Sequence, residues 1–157
     1  MWSQWTSSST PVFSFAGLEC DARLLDVHDG DTVTVAAEVF PGRFYQLSIR
    51  LAGIDAPEMT SKDAELKKRA EIARGRLVQL LAPDIILNLG AHLTRNEMRG
   101  LLQKGVPRMV FLKCQGMDKY GRVLAEISKD DATVHAGKTL IDEGLVKAYD
   151  GGTKGDW

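Results

Sequence analysis

The sequence predicts an α+β fold, mainly β, in which short strands close a small barrel flanked by helices. Three observations predict it. Apolar and β-branched residues recur with a period of two between residues 24 and 51. After Asp55-Ala56-Pro57-Glu58 the period changes to that of a helix. Strand-like runs then return beyond residue 107 and are followed by a second helical stretch, so the elements are segregated and not in βα alternation.

The elements follow in order. Residues 1–18 carry Thr6-Ser7-Ser8-Ser9-Thr10-Pro11 and read as a flexible or loosely docked tail. Leu24 to Val27 and Asp31 to Val35 flank Asp29-Gly30, a hairpin signal. In Phe44 to Leu51, Tyr45, Leu47, Ile49 and Leu51 share one face. Arg50 projects from the other face and calls for a partner. Leu66, Ala70, Ala73, Leu77, Leu80 and Leu81 form one face of a helix, with Thr60 and Asp63 as a capping box and Pro83 as its far boundary. Lys62, Lys67, Lys68, Arg69, Arg74 and Arg76 give that helix a locally basic, solvated face.

Residues 83–107 are hard to read: Ile85 to Leu89 can be a strand and Arg95 to Lys104 a short helix. Arg108 to Cys114 and Val123 to Ser128 read as strands around a turn at Asp118-Lys119-Tyr120-Gly121. Val134 to Glu143 reads as the second helix, with Gly144 as its C′ residue and Asp150-Gly151-Gly152 ending the ordered part.

A chain of 157 residues, 44% hydrophobic and 26% charged, suits one domain over 19–152 with short tails at 1–18 and 153–157. No run is long enough to span a membrane. Residues 1–16 lack a basic n-region and a secretory apolar stretch, so no export signal is expected and the cytoplasm is the default. With 20 basic and 21 acidic residues, the chain is far less basic than a protein that coats duplex DNA, unless positive charge is concentrated locally. Cys20 and Cys114 form no metal motif and read as buried thiols. His28, His92 and His135 show no ligand pattern and read as surface or satisfied residues.

Four clusters carry chemistry. Asp29-Gly30-Asp31 sets two carboxylates about a glycine, and Asp55-Ala56-Pro57-Glu58 sets two more at a strand exit. Arg50 stands five residues before Asp55, and Arg122 follows the Lys-Tyr-Gly turn. Carboxylates at turns are usually turn formers or caps. Together, however, they supply hard oxygen ligands for Ca²⁺ or Mg²⁺ and a carboxylate to activate water. The two arginines would hold a phosphate. The combination suits metal-assisted phosphodiester hydrolysis.

Three blocks carry a resemblance: Asp29-Gly30-Asp31-Thr32-Val33, then Arg50-Leu51-x-x-Ile54-Asp55-Ala56-Pro57-Glu58, then Asp118-Lys119-Tyr120-Gly121-Arg122-x-Leu124-Ala125. In this order they resemble the signature of the staphylococcal nuclease (thermonuclease) family. Leu140-Ile141-x-x-Gly144-Leu145-Val146-Lys147 is similar to its late helix and turn, and the resemblance covers roughly residues 22–152.

The resemblance implies an OB-type five-stranded barrel, one Ca²⁺, and hydrolysis of DNA and RNA with single strands preferred. Asp31 and Asp55 would ligate the metal, with the Ala56 backbone carbonyl as third ligand and Asp29 in the outer shell. Glu58 would activate water, Arg50 and Arg122 would grip the phosphate, and Lys119 and Tyr120 would line the nucleotide pocket. The expected partners are nucleic acids, no membrane, and a monomeric protein.

Relative to the family, the loop after Glu58 is shorter and the final helix is missing. The stretch from Glu58 to Arg122 is longer by roughly twenty residues, which makes 83–107 an insertion. The chain is also more acidic. Retention of Asp31, Arg50, Asp55, Glu58 and Arg122 favours an enzyme over a catalytically weak nuclease-like module for nucleic-acid or protein binding. A third reading has the arginine–carboxylate pairs merely closing a barrel.

Overall fold

In the computed structural model, which describes residues 1–129, 135–150 and 157, the regular elements run as follows. A 3₁₀ turn (Trp2–Gln4) precedes β1 (Glu19–Asp29), β2 (Thr32–Phe40), β3 (Arg43–Leu51) and β4 (Ile54–Asp55). Then come α1 (Ala64–Leu81), α2 (Arg95–Gln103), β5 (Met109–Met117), β6 (Val123–Lys129), α3 (Ala136–Asp142) and β7 (Lys147–Ala148). Five strands close a barrel in the order β1-β2-β3-β6-β5, and β4 pairs with β7. All barrel pairings are antiparallel except β3 with β6. The architecture is therefore the α+β, OB-type barrel with flanking helices expected from the sequence.

Period-two alternation fills the barrel, with Leu24, Val33, Val35, Ile49, Val110, Leu112, Ala125 and Ile127 all buried. Leu77 and Leu81 of α1, Met98 and Leu102 of α2 and Leu140 of α3 join the same core. Tyr45 departs from its expected inner face and is 47% exposed. The reason is topological: β3 meets β6 only through Ile49–Leu51, so the Tyr45 end lies on the part of β3 outside that pairing.

Helix α1 is capped by the Asp63 carboxylate, which accepts from Leu66 N–H at 3.1 Å, so Asp63 and not Thr60 is the cap. Arg74 is not part of the solvated basic face. It is buried, and donates from Nε to the Val27 carbonyl and from Nη1 to the Leu93 carbonyl, both at 2.8 Å. Ile85 to Leu89 form no strand. Leu87 and Leu89 instead rest against Gly75 of α1.

In the 83–107 segment, α2 forms behind a capping box in which Thr94 and Glu97 exchange side-chain and backbone hydrogen bonds. Helix α3 ends with Gly144 at φ 74°, where Gly144 N–H reaches Ile141 C=O and Leu145 N–H reaches Leu140 C=O. This is the expected role of Gly144. The helix begins at Ala136, and Val134, assigned to it from sequence, lies outside the described residues, as do Gly151, Gly152 and residues 153–156.

Residues 1–14 are exposed, but Phe15 and Leu18 pack on the core and Gly17 N–H donates to Cys114 C=O, so the tail docks before β1 begins. Cys114 is buried and Cys20 half-buried, and both thiols are free. No helix among the described residues is long and apolar enough to cross a membrane.

The β1–β2 turn uses its glycine for space, since the φ of Gly30 is not in the left-handed region. A Cβ on Gly30 would lie 2.8 Å from Ala73 Cβ and 3.1 Å from Ala56 Cβ. Gly30→Ala should therefore destabilise the protein by about 1–3 kcal/mol, as overpacking does. Ala73→Gly in the same chain should recover most of that loss. Equal melting curves for wild type and Gly30→Ala would refute this packing argument.

Candidate functional site

The hairpin register places Thr32 opposite Arg50, and Leu51 N–H donates to Asp31 C=O at 2.7 Å. The β1–β2 turn and the end of β3 are thus locked together. Arg50 Nη1 lies 3.2 Å from Asp31 Oδ2, and Nη2 lies 3.4 Å from Asp55 Oδ1. Asp31, Arg50 and Asp55 are all buried. The partner that Arg50 called for is therefore this pair of carboxylates. Asp31 Oδ2 also accepts from Ala56 N–H at 2.8 Å, and Oδ1 from the Thr32 hydroxyl at 2.8 Å.

Asp29 accepts from Met59 N–H at 3.0 Å. Burial raises its pKa above the ordinary carboxylate range; the Met59 hydrogen bond opposes this, and the nearby charges of Asp31 and Glu58 add to it. This corner is consequently rich in negative charge.

The second half of the site is built by one turn. Asp118 Oδ1 accepts from the N–H groups of Tyr120 and Arg122, at 2.8 and 2.9 Å, and Gly121 takes φ 82° to complete the turn. Asp118 Oδ2 accepts from Arg122 Nε at 2.6 Å. Burial pushes the Asp118 pKa up, but its hydrogen bonds to Arg122 and Tyr120 outweigh that and hold it below the ordinary value. The Tyr120 ring lies 5.3 Å from Lys119 Nζ and 5.4 Å from the Arg122 guanidinium.

Parallel pairing of β3 with β6, Arg50 opposite Leu124, brings the two halves side by side. Between them opens a cleft of about 1080 Å³ lined by Arg50, Glu58, Lys119, Tyr120, Arg122 and Tyr149, among others. Every residue expected to touch substrate is on its wall. Asp29, Asp31, Asp55 and Ala56 do not line it; Asp31 and Asp55 meet it through Arg50.

Two contributors were missed by sequence reasoning. Tyr149 follows β7, its N–H bonds Gly53 C=O, and its ring lies 5.9 Å from the Arg50 guanidinium. Nothing in the sequence marks it except an aromatic beside Asp150. Asp118 holds Arg122, a role readable from an Asp that opens an Asp-x-x-Gly-Arg turn. The histidines lie apart from the cleft lining. His28 bonds the Thr34 hydroxyl, His92 bonds Glu71, and His135 is exposed.

The donor set suits a hard cation. Asp31 and Asp55 offer carboxylate oxygens, the Ala56 backbone lies against Asp31, and Asp29 adds charge nearby. Among the described residues no three His, Cys, Asp or Glu side chains converge as a ready cluster. No protein-family model matches the chain, and no curated protein matches it.

The two arginines should differ in what they support. Arg50→Met leaves buried Asp31 and Asp55 without their shared cation and should cost about 3–5 kcal/mol. Arg122→Met removes a partly exposed ion pair and should cost about 1 kcal/mol or less. Denaturant titration of both variants in chelator reads the difference. Asp29→Asn should stabilise the chelated protein at neutral pH. Its folded pKa is raised, so ionised Asp29 opposes folding above that pKa, and the gain should vanish as pH falls below the unfolded value.

Proposed function

We propose that this chain is a Ca²⁺-dependent phosphodiesterase of the staphylococcal-nuclease type, acting on DNA and RNA. One observation carries the reading: two guanidinium groups and the Glu58 carboxylate face a single open cleft whose floor rests on the buried Asp31 and Asp55. Arg50 and Arg122 receive the scissile phosphate, and their charge offsets the negative charge that builds on its oxygens during attack. Glu58 orients water toward phosphorus and takes its proton. The P–O bond to the leaving oxygen then breaks, that oxygen takes a proton from solvent water, and Glu58 returns its proton to solvent.

Asp31, Asp55 and the Ala56 carbonyl would hold Ca²⁺, with Asp29 acting through water. Bound there, the ion supplies Lewis-acid polarisation of a phosphoryl oxygen. Tyr120 and Tyr149 offer aromatic faces at the cleft for a base, and Lys119 adds charge. A base must leave its stack to reach them, so single strands and frayed ends are the preferred substrates, and a monomer suffices.

Before it can bind a phosphate with its full fork, Arg122 must share or release Asp118. Arg122→Lys keeps charge but loses the planar fork. It should lower turnover at least about a hundredfold, and so should Glu58→Gln. Melting temperature should stay near wild type for both. Turnover is measured on single-stranded DNA and RNA with Ca²⁺, with Mg²⁺ and with chelator. Cleavage undiminished in chelator sinks the metal site. Tight binding of strands without cleavage under any condition would favour a nuclease-like binding module instead.

A further inference from the structure

We propose that Arg95 and Arg99 form a second phosphate site, a clamp on the backbone of a nucleic-acid strand beyond the cleft. This deepens the nuclease reading and rests on it. Arg95 and Arg99 are four apart in α2 and share a face over β1. Both direct Nε at the same oxygen, Asp26 Oδ2, at 3.6 and 2.9 Å respectively. Asp26 is only 2% exposed, whereas the arginine side chains are 63% and 43% exposed. Among the described residues their Nη groups donate no hydrogen bond.

Arg99 is held by hydrogen bond to the buried Asp26 carboxylate and Arg95 lies beside the same oxygen, so two exposed guanidinium groups stand together, and each can offer a phosphate its planar donors. Three arginines, Arg74, Arg95 and Arg99, gather about Asp26, with Asp29 and Glu71 also near Arg74. Buried Arg74 also feels Asp26, and burial lowers its pKa. His28 Nε2 lies 3.6 Å from the same oxygen. The Thr94–Glu97 box engages the backbone N–H groups of Thr94 and Glu97 at the start of α2.

Docking of α2 does not explain both arginines. Met98 and Leu102 already bury its apolar face, and Gln103 Nε2 bonds the Leu25 carbonyl. Arg99 alone reaches Asp26 at hydrogen-bond distance, while Arg95 is beyond it and mostly exposed. A contact of that kind adds little to stability.

Position supports a strand as the ligand. Asp26 precedes Asp29 by three residues on β1, about 10 Å along the strand. Asp26 lies on the strand that leads into the β1–β2 turn, where Asp31 anchors Arg50 at the cleft, so one stretch of chain carries both arginine sites.

The test uses the full chain in chelator, with fluorescent single-stranded DNA as probe, in dinucleotide and longer lengths. Arg95→Gln should weaken binding of the long strand several-fold, with the slope of log affinity against log salt falling by about 0.7. The double variant Arg95→Gln/Arg99→Gln should lose about 1.4. Dinucleotide binding should be unchanged, and a Lys67→Gln control should leave the long strand unaffected. Arg95→Gln should also keep its melting temperature, which separates the clamp from a docking role if Arg99→Gln loosens α2. Wild-type affinity and slope in both variants would overturn the clamp while leaving the nuclease reading intact if wild type still cleaves. Failure of wild type either to bind or to cleave any strand would overturn both.

Discussion

The contact of Arg50 with both Asp31 and Asp55 is the constraint on which the site depends. It ties three separate segments, namely the β1–β2 turn, the end of β3 and β4. Burying these charges is costly, and a buried ion pair seldom repays its desolvation in net stability. Its value is position. Because the carboxylates hold two different nitrogens of one planar group, Arg50 can present only its remaining edge to the cleft. The same pair draws Asp55 and β4 into place, and β4 carries β7 and Tyr149 to the cleft wall.

Arg122 is held by a different principle. Its anchor, Asp118, lies in its own turn, so that arginine would be placed even if the rest of the barrel shifted. One arginine is fixed by long-range burial and the other by local turn chemistry. Their proximity then follows from the parallel β3–β6 pairing alone. A barrel joins such independent pieces well, since closure fixes neighbouring strands without needing contact between the functional groups themselves.

Much of this was legible in the sequence. Period-two runs gave the strands around Leu24, Val35 and Ile49, and the period of Ala70, Ala73, Leu77 and Leu81 gave α1. The off-face Arg50 and the carboxylates on glycine-bearing turns pointed to one another before any fold was known. What escaped shares a physical cause. Arg74 reads as a surface charge because periodicity cannot see that its donors meet the carbonyls of Val27 and Leu93. Ile85 to Leu89 read as a strand because propensity is local, while the packing of Leu87 and Leu89 against Gly75 of α1 is set by the tertiary fold. Tyr149 sits where only the β4–β7 pairing brings it near Arg50.

Net charge misleads for a related reason. With 20 basic and 21 acidic residues the chain looks unsuited to a polyanion. Screening, however, limits exposed charges to about 8 Å at physiological ionic strength, so a strand responds to the charge beside each phosphate and little to the total. Here three acidic groups at or behind the cleft are occupied internally: Asp31 and Asp55 by Arg50, and Asp118 by Arg122. Asp26 is likewise turned inward beneath Arg95 and Arg99. Buried carboxylates facing arginines cancel in the sum, yet the donors left on the outside of each pair do not cancel locally. A nearly neutral chain can therefore offer phosphate-binding points at chosen places while lacking the diffuse positive field that would hold it to duplex DNA indiscriminately.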